Sequence, residues 1–177
     1  MGWIKEFGQE YEIPQSILSL LKDGITKDMS WHNDSAPSFG VYLDRKDRDG
    51  DKSHDLDIRI FVEHPKPDER EHHGGDRYMV DVLENGSLVD QNFGNDVRAA
   101  IQWYRLALVN FLTPKDFYNA IKNWSMSKLD DWYEENVGYS PKKDDPILGV
   151  EALRETVAEL MWLRNGGSED ALKKGRK

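Results

Sequence analysis

Apolar and polar residues alternate with period two along the middle of the chain and with the helical period over most of its second half. In SFGVYLD, residues 38–44, Phe39, Val41 and Leu43 alternate with Gly40, Tyr42 and Asp44. In LDIRIFVEH, residues 56–64, Leu56, Ile58, Ile60 and Val62 alternate with Asp57, Arg59, Phe61 and Glu63. Both patterns predict strands with one face in a core. RYMVDVLENGSLVDQ, residues 77–91, predicts a hairpin, because Asn85-Gly86 tolerates the positive φ angles of a two-residue turn. That turn would pair Leu83 with Leu88, Val82 with Val89 and Asp81 with Asp90. Tyr78, Val80, Val82 and Val89 would then share one face, with Met79, Asp81, Leu83 and Leu88 on the other. A four-stranded antiparallel meander is expected.

A short helix is predicted before the sheet in IPQSILSLLKDG, residues 13–24, with Pro14 in the first turn and Gly24 as the stop. The polar run KDMSWHNDSAPS separates it from the first strand, with Trp31 as an anchor for that loop. From Asn95 onward Val97, Ile101, Tyr104, Leu108 and Phe111 form one helical stripe. Thr113 caps a second helix that opens on Pro114 and carries Phe117, Ile121 and Trp124. Ser127, with Asp130 three residues on, caps KLDDWYEENV. A last helix spans LGVEALRETVAELMWLRNGG and stops at Gly166-Gly167. The fold class is therefore α+β: an N-terminal helix, the sheet, and about four C-terminal helices packed on one of its faces. Residues 1–167 read as a single domain and 168–177 as a disordered basic tail.

Composition narrows the chemistry. The chain has 177 residues, within the range of a single domain. It has no cysteine, which excludes disulfides, thiolate zinc sites and cysteine nucleophiles and permits a reducing compartment. The longest apolar run, LALVNFL, is far shorter than the ~20 residues that span a bilayer. The N-terminus lacks the basic and apolar segments of a secretory signal, and Glu6 stands where myristoylation wants Ser or Thr. A cytoplasmic protein without membrane association is the expectation. Net charge is −9, and the tail contributes Lys173, Lys174, Arg176 and Lys177 against Glu169 and Asp170. A body this acidic repels phosphate backbones, so direct nucleic-acid binding is not expected and a partner with a basic surface is.

Three polar stretches carry residues that chemistry could use. EHPKPDEREHHGGDRY, residues 63–78, brings His64, His72 and His73 near Asp68, Glu71 and Asp76, the set that would have to hold a metal. His54 lies too far along the strand to join them. Zinc requires three or four ligands in fixed geometry, and a loop with two prolines and two glycines supplies flexibility instead, so a solvated hairpin loop is the better reading. RKDRDGDKSHDL has Asp47, Asp49 and Gly50 in the manner of a calcium loop, but Arg45 and Leu56 occupy the first and twelfth ligand positions. WHNDSAPSF gathers His32, Asp34 and Ser35, yet neighbours in one loop rarely aim at a common centre, and Asn33, Asp34 and Ser35 before Pro37 suit a turn. No phosphate-binding, dinucleotide, nucleophile-elbow or H-E-x-x-H motif occurs. No cofactor is expected, and no enzymatic role.

Two surfaces remain. On the helix over 127–137, Asp130, Asp131, Glu134 and Glu135 share one arc opposite Leu129, Trp132, Tyr133 and Val137, with Asp144 and Asp145 following. On the far face of the sheet, Tyr42, Arg59, Phe61, Met79, Leu83 and Leu88 mix with Asp57 and Asp81. That mixture is typical of an interface centre if solvent reaches it, and is core if the first helix or the Trp31 loop covers it. The composite expectation is an acidic protein-binding module, an inhibitor of a basic nucleic-acid-processing partner in the manner of an immunity protein or a phage-encoded anti-defence inhibitor. Asp130, Asp131, Glu134 and Glu135 would steer association, with Arg59, Phe61 and Tyr42 in contact. Two alternatives are a metal-dependent enzyme using His64, His72 and His73, and a structural subunit that self-associates through the sheet face around Phe61.

Overall fold

The computed structural model describes residues 2–46, 53–71, 75–138, 140–141 and 149–168. The chain divides into two compact units, Met1–Leu108 and Val109–Lys177. The basic tail predicted from Ser168 lies, beyond that residue, outside the described residues, as do Asp144 and Asp145.

The first unit holds helices α1 (Gly2–Phe7) and α2 (Gln15–Leu18), then strands β1 (Lys27–Asp28), β2 (Ser38–Lys46), β3 (Ser53–Val62), β4 (Tyr78–Glu84) and β5 (Ser87–Gly94). The strands form one antiparallel sheet in chain order. This corrects the expected four strands to five. β1 is too short for any alternation to show in sequence; pairing of Lys27 with Gly40 and Asp28 with Phe39 defines it. Asp28 also serves two backbone donors, Trp3 N at 3.0 Å and Ser30 N at 3.2 Å, which ties α1 and the following turn to the sheet edge. The first predicted helix is shorter than read: after Leu18 the chain tightens into a 3-10 turn over Ser19–Asp23, and Gly24 ends it at φ 80°.

Register sorts the two faces of the sheet. Phe39 opposes Ile60, which opposes Val80; Val41, Ile58 and Val82 form the next row, and all six are buried. The core of the unit is this face together with Trp3, Ile13, Ile17, Leu20 and Ile25 and, from helix α3 (Val97–Phe111), Ala100, Tyr104, Ala107 and Leu108. The hairpin turns at Asn85 and Gly86, both at positive φ, and pairs Leu83 with Leu88 as expected. Beyond that pair the expectation is corrected: Val82 opposes Asp90 and Asp81 opposes Gln91, because a bulge between Val82 and Leu83 shifts the register. Val89 is therefore set aside from the core and is 46% exposed, where alternation alone would bury it.

The second unit contains α4 (Pro114–Ile121), α5 (Met126–Val137) and α6 (Val150–Arg164), with α6 packed against both others. Thus only α3 of the four expected C-terminal helices has residues in the unit of the sheet. Phe117, Ile121, Leu129, Leu153, Val157, Ala158 and Met161 are buried here. Trp162 donates its indole N–H to Leu112 O at 3.1 Å. Thr113 caps α4 as predicted, and the cap is closed into a box that was not read from the sequence, with Thr113 N donating to Asp116 Oδ2 at 2.8 Å. The cap of α5 is Ser125, not Ser127; its Oγ accepts from Lys128 N at 3.3 Å. No described helix is long and apolar enough to cross a membrane.

Candidate functional site

The face of the sheet turned away from its core is built in rows. Ser38, Phe61, Met79 and Phe93 lie across β2 to β5, then Gly40, Arg59, Asp81 and Gln91, then Tyr42, Asp57 and Leu83, then Asp44 and Asp55. One corner is covered by the turn after β1, where Asp34 N bonds to Trp31 O at 2.9 Å and Tyr11 Oη donates to Ser35 O at 3.2 Å. Met79 beneath it is buried and Phe61 half-buried, while Tyr42 is 51% and Leu88 52% exposed. The two possibilities for this face are both realised, one at each end.

Charge on this face is strongly biased. Among the described side chains, Asp34, Asp44, Asp55, Asp57 and Asp81 share it with Lys27 and Arg59. Arg59 is held by its own strand: Nε donates to the Asp57 oxygens at 2.8 and 2.9 Å, and Nη2 to Oδ2 at 2.6 Å. That bidentate pairing raises the pKa of the guanidinium further, against the opposing effect of burial. Asp34 Oδ2 stands 3.8 Å from Arg59 Nη1, an ion pair without a hydrogen bond. Gln91 Nε2 donates to Asp81 Oδ1 at 2.8 Å. Tyr42 has its phenol pKa raised, first by a hydrogen bond to Asp55 and then by partial desolvation and the nearby Asp44 and Asp57 charges. A recess of about 310 Å³ opens between the turn and the sheet, with Asn33, Asp34 and Ser35 on one side and Phe61, Met79, Asp81 and Gln91 on the other.

The remaining candidates are dispersed. Asp131, Glu134 and Glu135 are exposed on α5, but Asp130 is not: it is 5% exposed and bonded to Ser140. The acidic row of four is thus a row of three. His64 is buried, its ring edge-on to Tyr11 at 5.5 Å and its Nδ1 3.3 Å from Glu69 Oε2. His72 and His73 lie outside the described residues, and among the described residues no three potential ligands gather as a metal site would require. Asp47, Asp49 and Gly50 are likewise outside them. His32 rests against Trp31 at 4.6 Å while Asp34 turns to Arg59, so no triad forms, and Trp31, 58% exposed, does not anchor its loop in the core.

Sequence reasoning missed three contributors. Asp34 read as a turn former, and nothing in its own stretch marks its approach to Arg59. Gln91 joins the row of Arg59 and Asp81 only because of the bulge. Arg70 organises the loop after β3 by donating to His64 O at 2.7 Å, Pro65 O and Asn95 Oδ1 at 2.8 Å, and Gly75 O. No family model matches the chain, and comparison with curated proteins and with solved structures likewise finds no match.

Proposed function

We propose that this chain is a protein-binding module that engages a basic partner through the non-core face of its sheet. The observation that carries this reading is that half-exposed Tyr42 and Leu88 share one face with the carboxylates of Asp34, Asp44, Asp55, Asp57 and Asp81. Aromatic and aliphatic groups supply the desolvated contact, and the surrounding carboxylates select a positive surface and speed its approach. Arg59, tied to Asp57, is a fixed part of that surface. On α5, exposed Asp131, Glu134 and Glu135 contribute long-range steering, a role that depends on their charge alone. Proteins whose clefts hold nucleic acid are the basic partners such a surface would occlude, and occlusion would make the module an inhibitor.

The test is retention of partners from a source lysate by the tagged full-length chain at low and moderate salt. It runs beside one variant with Tyr42→Lys and Leu88→Lys, and another with Asp131→Asn, Glu134→Gln and Glu135→Gln. A basic protein should be retained by the wild type, lost from the sheet variant, and captured more slowly by the helix variant. Equal retention by the sheet variant would remove this face from the reading.

A further inference from the structure

Just past the end of β3, the buried imidazole of His64 has two incompatible partners at one nitrogen. Lys66 N donates to His64 Nδ1 at 3.4 Å, which requires a lone pair on that atom. Glu69 Oε2 stands 3.3 Å from the same Nδ1, a contact that is attractive only when Nδ1 carries a proton. The single turn Pro67–Glu69, which follows Lys66, brings both groups to the ring. Lys66 Nζ holds the other Glu69 oxygen, Oε1, at 2.8 Å. The His64 carbonyl is fixed separately, by Arg70 Nε at 2.7 Å, so the ring can change partners while its backbone stays in place. From the segment before the sheet, Tyr11 packs edge-on against the ring. Burial raises the Tyr11 phenol pKa first, and the Glu63, Glu71, Glu10 and Glu69 carboxylates raise it further. The cations among these acids are Lys66, Arg70 and Arg77, and Arg77 Nη2 donates to Glu12 O at 3.1 Å.

We propose that His64 is a proton-operated switch in the loop that follows β3. Neutral, its Nδ1 accepts the Lys66 N–H; protonated, the same Nδ1 donates to Glu69 and releases the Lys66 amide. The step is transfer of one proton from solvent to Nδ1. The lone pair that accepted the Lys66 N–H becomes an N–H bond, Nε2 keeps its hydrogen, and the ring gains a positive charge. A buried imidazolium requires a charge partner within reach, and Glu69 is that partner. Glu69 then lies between two cations, the imidazolium and the Lys66 ammonium. Protonation thus tightens the loop through its side chains and frees one backbone donor. The device is local, because the Arg70 bonds to the His64 and Pro65 carbonyls do not involve Nδ1.

The experiment is an NMR titration of the isotope-labelled full-length chain between about pH 8 and pH 5, the interval in which imidazoles change charge. It follows the His64 ring and the Lys66 amide together. The two should share one midpoint, and the Lys66 amide proton should move upfield as it loses its acceptor. In Glu69→Gln that common midpoint should move to lower pH by about half a unit or more, because the imidazolium loses its carboxylate. In His64→Gln the Lys66 transition should vanish. Glu69 is half exposed, so Glu69→Gln leaves the packing intact, and its comparison with the wild type decides the matter even if His64→Gln fails to fold. A Lys66 amide that does not follow the His64 ring, or a midpoint unmoved in Glu69→Gln, would overturn the switch. A Lys66 transition that persists in His64→Gln would assign it to another group, such as His72 or His73, and overturn the switch as well.

Discussion

Ser140 donates its hydroxyl to the carboxylate of Asp130, 2.9 Å from Oδ1 and 2.8 Å from Oδ2, on a side chain only 5% exposed. The helical wheel places Asp130 among acids, yet a residue ten positions later reaches back over it and makes it internal. A buried carboxylate with such a partner belongs to the stability of the helical unit. Asp130→Ala should lower unfolding free energy by about 1–3 kcal/mol, while Asp131→Asn at the exposed neighbour should stay within about 0.5 kcal/mol. Urea titrations of both variants check this, and equal effects would show that Asp130 faces water.

Two glycines should fail for different reasons. At Gly40 a Cβ would run into the Ile58 carbonyl and lie 3.0 Å from Arg59 Cα, because β2 and β3 approach closely there. Nothing lies within 4 Å of a Cβ at Gly86, but its φ is 74°. Gly40→Ala should therefore cost about 1–3 kcal/mol through overpacking, and Gly86→Ala about 1 kcal/mol through backbone strain. Thermal unfolding of the pair, with Gly86→Asn as a partial rescue of the turn only, separates the two causes. A Gly40→Ala protein as stable as wild type would rule out the close approach.

Arg70 ties three backbone carbonyls and Asn95 together around the loop that follows β3. Lysine cannot reproduce a guanidinium that donates from three nitrogens. Arg70→Lys and Arg70→Ala should both accelerate amide exchange over residues 66–71 by about tenfold or more, with the sheet core unchanged, because loss of the clip opens the loop locally. Unaltered exchange in Arg70→Ala would mean that the loop is held by other contacts.

The phenol of Tyr104 is fully buried and 3.0 Å from Thr26 Oγ1. Burial raises its pKa strongly above 10.0, and the Thr26 hydrogen bond opposes this only in part. Its contribution is therefore present below pH 10.0, the ordinary tyrosine value, and is lost as pH rises from there toward the elevated folded value, since the unfolded chain ionises first. Stability measured between pH 9 and 11 should fall less steeply in Tyr104→Phe than in wild type. Parallel slopes would show that other groups govern the alkaline limit.

Elements whose information is local were legible in the sequence. The alternation of Phe39, Val41, Ile58 and Ile60, the Asn85-Gly86 turn and the Thr113 cap each depend on neighbours a few residues apart, and each appears in the structure. The candidate face was legible to the extent that alternation sets Tyr42, Arg59 and Phe61 on the side opposite the core. Which part of it solvent reaches was not, because that depends on a turn from before β2 folding across the sheet.

The sequence by itself determined the α+β class, the main strands, the second-half helices and the acidic balance, since periodicity and charge are properties of the chain alone. Tertiary structure decided that β1 joins the sheet, that a bulge brings Gln91 rather than Asp90 opposite Asp81, that Asp130 turns inward, and that Asp34 meets Arg59. Each of these is a contact between segments distant along the chain or a one-residue shift in their pairing. Its energy comes from desolvation and hydrogen bonding that exist only once the segments meet, so no local pattern carries it.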